Sequence, residues 1–98
     1  MISSAYQKKI KKIIAPILKE SRAEVFIFGT AARAVRFGDV DLAINGQVSR
    51  NEIRQIKVVL EDSNLPYFFD VVDFKKTTKS FRDNILNNKI IWLIKRSN

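Results

Sequence analysis

The sequence predicts an α/β chain of the α+β kind, a small mixed β-sheet with helices packed on it. Three observations carry that expectation. Short runs rich in β-branched and aromatic residues recur at 25–28, 40–44, 67–74 and 90–94, the composition of strands. Between them lie segments whose apolar residues return at helical spacing. Turn signals separate the two kinds of segment: Asn45-Gly46, Asn64-Leu65-Pro66 and Asn87-Asn88. The resulting order is α-β-(α)-β-α-β-α-β, with no repeat and no low-complexity linker, read as one domain over 1–98.

Each element has its own reason. Ile10, Ile13, Ile14, Ile17 and Leu18 are spaced for one helix face, with Lys8, Lys9, Lys11, Lys12 and Lys19 between them, so 4–21 reads as an amphipathic helix. Pro16 removes a backbone donor and crowds the preceding turn, which predicts a kink or a split near Ala15. Residues 24–29 read as a buried strand, and Thr30 as the cap of a short helix over Ala31-Ala32-Arg33-Ala34. Arg36-Phe37-Gly38 turns the chain back. From Asp39 to Asn45 apolar Val40, Leu42 and Ile44 alternate with Asp39, Asp41 and Ala43, a strand expected to bury one face and show acid on the other. Ser49 and Glu52 match a capping box ahead of a helix through Ile53, Ile56, Val59 and Leu60 to about Asp62. The aromatic run Tyr67 to Phe74 is a third strand. Thr78 or Ser80 opens a last helix through Phe81, Ile85 and Leu86, and Ile90 to Ile94 forms a fourth strand.

Composition limits the chemistry. The chain has neither cysteine nor histidine, which excludes disulfides, thiolate zinc sites, cysteine nucleophiles and histidine bases. Carboxylates are the remaining metal ligands. No apolar run approaches a membrane span and no signal-peptide core is visible at the N-terminus, so the expected setting is cytoplasmic. Eighteen Lys and Arg against ten Asp and Glu leave a net charge of +8, a balance that attracts polyanions without saying which.

Two features stand out against this background. Gly29-Thr30 ends the run Val25-Phe26-Ile27-Phe28, and Asp39-Val40-Asp41 comes after a spacer of eight residues. A glycine lets backbone approach a ligand closely, and a hydroxyl with free N–H groups beside it suits phosphate. The same step is equally a strand end followed by a helix cap. Carboxylates at i and i+2 of a strand lie roughly 7 Å apart on one face and can converge on Mg²⁺, or they are a turn residue and a surface acid. Asp70 and Asp73 have opposite parity on the third strand, so only one of them can join the pair. Arg33 either touches phosphate or pairs on the surface.

These residues resemble the minimal nucleotidyltransferases of the DNA polymerase β superfamily, whose signature is a Gly-Ser step, a spacer, Asp-x-Asp and a later Asp on another strand. The match runs through Phe28-Gly29-Thr30, Asp39-Val40-Asp41-Leu42 and Leu65 to Asp73, and the order of elements extends it over nearly the whole chain. The resemblance implies a polymerase-β-like palm fold. It also implies that Asp39, Asp41 and Asp70 are the catalytic, metal-binding acids, that Gly29, Thr30 and Arg33 bind nucleotide, and that Asp73 is structural. Three departures are visible: Thr30 stands for the usual Ser, Gly38 for the Ser before the first acid, and Ala34 for a Gly in a shortened spacer. Alanine reaches positive φ only at a cost, so the loop is expected to avoid the common path at that position.

The function implied is Mg²⁺-dependent adenylyl transfer, with two Mg²⁺ ions and ATP as substrate, to a hydroxyl on a partner. The resemblance further implies that this partner is a HEPN-domain toxin and that the enzyme serves as its antitoxin. Two other readings belong to different classes. One is a binding-only antitoxin in which catalysis has faded, motivated by the altered loop; the other is a basic RNA-binding module, motivated by the charge. Nothing in the residues identifies the nucleotide base.

Overall fold

The computed structural model describes residues 1–96. In chain order it places α1 (Ser4–Ile14), β1 (Glu24–Phe28), a 3-10 turn (Gly29–Ala32), β2 (Asp39–Asn45), α2 (Arg50–Glu61), β3 (Phe68–Asp73), a second 3-10 turn (Phe74–Lys76), α3 (Lys79–Leu86) and β4 (Ile91–Ile94). The strands form one mixed sheet in the order β3-β2-β1-β4. β1 pairs antiparallel with both β2 and β4, while β3 runs parallel to β2 after the α2 crossover. The predicted element order and fold class are both observed.

Alternation along the strands divides the core between two faces. Val25 and Ile27 of β1 and Val40, Leu42 and Ile44 of β2 meet Ile10 and Ile14 of α1 and Ile56 and Leu60 of α2. On the other face Phe26, Ala43, Phe74 and Ile85 form a second cluster with Phe28, Val72, Ile90 and Trp92 around it. Its rings meet edge to face, Phe26 lying 5.1 Å from Trp92 and 5.2 Å from Phe74 between centroids. The expectation that β2 buries a single face is thereby corrected: Ala43 is fully buried on the side that carries the acids. Its small side chain leaves room for the aromatic cluster.

Pro16 acts more strongly than a kink. The α-helix ends at Ile14, two residues before the proline, and Ala15 donates the last regular bond to Lys11 O at 2.9 Å. Beyond it Ile17 and Leu18 donate to Ile14 O and Ala15 O, both at 3.1 Å, as tighter i to i+3 turns. The segment 15–22 is therefore turns rather than helix, yet it still delivers Leu18 to the core. Arg22, at φ 55°, closes the segment ahead of β1.

α2 begins as the capping box predicts. Glu52 N–H donates to Ser49 Oγ at 3.0 Å and Ser49 N–H donates back to Glu52 Oε1 at 2.8 Å. α3 is capped by Thr78 and not by Ser80, with Phe81 N–H donating to Thr78 Oγ1 at 3.2 Å. No helix among the described residues is long and apolar enough to cross a membrane.

The packing sets a scale for substitutions. Leu42→Ala removes a side chain with no solvent exposure and is expected to lower unfolding free energy by about 2–5 kcal/mol. Ser49→Ala, which loses only the cap, is expected to cost about 1 kcal/mol. Urea denaturation of the two variants checks both the order and the size of these losses.

Candidate active site

The acids stand where β2 and β3 begin. Asp39 is the first residue of β2 and is exposed; Asp41, two residues on, is half-buried; Asp70 is exposed on β3. The parallel register sets Asp41 directly beside Asp70. Partners in adjacent strands share a face about 4.8 Å apart, and Asp39 lies roughly 7 Å from Asp41 on that face. Asp73 pairs with Ile44 instead and points to the opposite face. Parity therefore separates Asp70 from Asp73 in the predicted way.

Gly29 closes the other side of Asp41. The antiparallel register pairs Phe28 with Asp41, so Gly29 comes directly after it as the chain leaves the sheet. At φ +74° it takes a conformation that side chains disfavour, and a Cβ there would meet Asp41 Oδ2 at 2.5 Å. The absent side chain is filled by the carboxylate. Asp41 thus sits between Gly29 and Asp70.

Burial raises the Asp41 pKa above its ordinary value, and the Asp70 and Asp39 charges raise it further. Among the described residues no lysine or arginine forms an ion pair with Asp39, Asp41 or Asp70; the ion pairs there join Lys76 to Asp73 and Lys79 to Asp83. Nor, among the described residues, do three acids close into a ready-made metal cage. Mg²⁺ does not require one, since it takes one or two carboxylates and completes its shell with water and phosphate. A set of like-charged acids without a protein cation, the middle one raised in pKa by burial and by the other two, fits that ion by its donor chemistry.

The 3-10 turn after Gly29 differs from the predicted helix. It spans Gly29–Ala32 with no side-chain cap, and Thr30 is exposed. The Thr30 carbonyl accepts the N–H groups of Arg33 and Ala34 at 3.1 and 2.7 Å, while among the described residues its hydroxyl makes no hydrogen bond within the protein. Ala31 and Ala32 are buried, and Ile2 N–H holds Ala31 O at 2.8 Å. Ala34 does not take positive φ, in keeping with the expectation from its Cβ.

A cleft of about 130 Å³ opens beside this turn, lined by Phe28, Gly29, Arg33, Phe81, Asn84, Ile85, Asn88 and Lys89. Two of the three predicted nucleotide-binding residues, Gly29 and Arg33, are thus in its wall; Thr30 is outside it. Sequence reasoning missed the contribution of α3. Phe81 and Asn84 lie at i and i+3 on one face of α3, and Asn88 follows two residues beyond its end, but only the apolar members of the helix carry a periodic signal. Asn88 Nδ2 donates to Asn84 O at 2.6 Å and so ties the end of α3 back on itself.

A model of the family Polymerase beta, Nucleotidyltransferase matches residues 8–97. No curated protein matches the chain significantly. Among solved structures the chain is similar to one described as a crystal structure of a toxin-antitoxin with AMP-PNP, at a TM-score of 0.63 and 14% sequence identity, over 85% of this chain and 71% of that one. At this identity the likeness is one of fold.

Two outcomes are expected from this geometry. Gly29→Ala meets both an unfavourable φ and the Asp41 carboxylate, and is expected to destabilise by at least about 1 kcal/mol. In an Asp41→Ala background the steric part disappears, so urea-denaturation double-mutant cycles should show a smaller loss. Because the folded Asp41 binds its proton more tightly than the unfolded chain, its contribution favours the folded state at low pH and is lost as pH rises through the raised pKa. Asp41→Asn should therefore be more stable than the parent at neutral pH, with a flatter pH-stability curve above the ordinary carboxylate value of 3.8. Thermal melting across that range measures it.

Proposed function

The chain belongs to the polymerase beta nucleotidyltransferase family, and from that membership we propose that it transfers AMP from ATP to a hydroxyl group of a partner protein, acting as the antitoxin of a HEPN-domain toxin. One observation carries the reading: Asp41 stands beside Asp70 through the β2–β3 pairing and against Gly29 through the β1–β2 pairing, so the acids adjoin a cleft containing Gly29 and Arg33.

In this proposal Asp39, Asp41 and Asp70 hold divalent metal, with two Mg²⁺ ions as the expected complement. Such ions, when bound, activate the attacking oxygen and offset charge on the triphosphate. The chain supplies the rest. Gly29 presents its backbone to the triphosphate in the cleft wall beside Asp41, the free Thr30 hydroxyl donates to a phosphate oxygen, and Arg33 in the same wall offsets its charge. The acceptor oxygen forms a bond to the α-phosphorus as the bond to the bridging β-phosphate oxygen breaks, and pyrophosphate leaves. Asp70, exposed at the start of β3, receives the hydroxyl proton in a chain without histidine.

The antitoxin assignment takes its support from the toxin-antitoxin structure whose fold this chain shares, and adenine from the AMP-PNP in that structure. A binding-only antitoxin is the second reading, favoured by the altered loop, in which Thr30 lies outside the cleft and Ala34 stands in a shortened spacer. Intact-mass spectrometry of the HEPN partner after incubation with the protein, ATP and Mg²⁺ decides between them. One added AMP is expected, with Asp41→Asn slowing its appearance at least about a hundredfold, the scale of losing one electrostatic stabiliser. Toxin binding with neither added mass nor metal-dependent ATP binding would favour the second reading.

A further inference from the structure

A second cleft lies on the other face of the sheet. It measures about 400 Å³ and is lined by Arg50, Ile53, Arg54 and Lys57 of α2, with Asp73 and Lys76 from the end of β3 and the turn after it. Arg50, Arg54 and Lys57 recur at i, i+4 and i+7, one stripe of the helix, and all are exposed. At 1.5 Å of rise per residue they span roughly 10 Å. Among the described residues none of these three forms an ion pair, and Lys76 pairs only at 3.9 Å with Asp73 Oδ2. Asp73 is half-buried on the cleft floor, and among the described residues its carboxylate accepts no hydrogen bond, its Oδ1 being buried without a partner. An orphaned acceptor within a ring of cations asks for a ligand that brings negative charge to the rim and a donor to the floor.

We propose that this cleft binds the sugar-phosphate backbone of RNA, with phosphates on Arg50, Arg54, Lys57 and Lys76 and a ribose 2′-hydroxyl donating to the exposed part of the Asp73 carboxylate. An acidic peptide satisfies the rim but brings carboxylates against Asp73. DNA satisfies the rim and lacks the hydroxyl. RNA supplies both a phosphate for the rim and a hydroxyl donor for the floor at every residue. The cleft is separate from the acids: Asp73 lies three residues beyond Asp70, roughly 10 Å along the strand, and on the opposite face. Binding here leaves the nucleotidyltransferase reading intact, and neither depends on the other.

Fluorescence anisotropy with a labelled single-stranded RNA and the DNA of the same sequence tests the assignment. The parent protein is expected to bind the RNA more tightly, with an affinity that falls steeply with salt. Reversing two rim charges, Arg50→Glu with Arg54→Glu, should weaken RNA binding at least roughly tenfold at low salt and shallow the log–log salt slope by roughly 1.4. Lys8→Glu with Lys12→Glu changes net charge equally on exposed positions of α1 and should cost much less. Asp73→Ala should bring RNA and DNA affinities together without weakening DNA binding. Thermal melts of all variants verify folding, and Arg50→Gln with Arg54→Gln repeats the test without new acids. Equal loss in the two charge reversals, RNA and DNA bound alike by the parent, or displacement of RNA by polyglutamate as readily as by unlabelled RNA would each overturn the proposal.

Discussion

Gly29 lies so close to the Asp41 carboxylate that a methyl group in place of its hydrogen would sit 2.5 Å from Oδ2. The contact arises because β1 and β2 pair antiparallel with Phe28 opposite Asp41, and because Gly29 turns away at positive φ one residue later. Any other residue would push the acid aside or pull the turn off the sheet. The path of the next residues depends on that step. The turn must come down at once to bury Ala31 and Ala32, and its closeness to the sheet is secured by Ile2, a fully buried side chain whose N–H holds Ala31 O.

The same strand explains why the Asp41 pKa is raised. Along one face of β2, Ala43 is wholly covered by the aromatic cluster, Asp41 is half-covered and Asp39 is in solvent. Desolvation therefore falls off toward the edge of the sheet, and Asp41 stands where enough of it remains to disfavour charge. It also has a like charge on each side, Asp70 across the ladder and Asp39 along the strand. Position, more than residue type, distinguishes the three. A carboxylate that resists ionisation while remaining open to solvent is one whose charge a bound cation would stabilise strongly.

Much of this is legible in the residues. The alternation of Asp39 to Asn45, the capping box at Ser49 and the parity of Asp70 against Asp73 each rest on a local periodicity that tertiary structure does not override. Where sequence reasoning fails, the cause is non-local. Nothing near Ala43 announces that Phe74 and Ile85, far along the chain, will cover it. Thr30 resembles a helix cap because its neighbours are alanines, but the contacts that decide the turn come from Asp41 and Ile2. Pro16 has the local signature of a flaw in a helix, whereas the tighter turns after Ile14 bury Leu18 equally well and leave α-helix no advantage there.

β3 shows how one short strand can serve two surfaces of opposite character. As an edge strand parallel to β2 it has one neighbour in the sheet, and its six residues alternate between the acidic face and the face packed by α2. Asp70 joins two acids and, like them, forms no ion pair among the described residues, while Asp73, three residues on, sits among arginines and lysines. Two aspartates in one strand thus meet opposite electrostatic surroundings through parity alone. A shift of one residue in the β2–β3 register would exchange them, placing Asp73 on the acidic face and Asp70 against α2. The hydrophobic pattern opposes that shift, because Val71 would leave the buried cluster it shares with Leu42. The apolar residues of β3 therefore hold its two acids on opposite sides of the sheet.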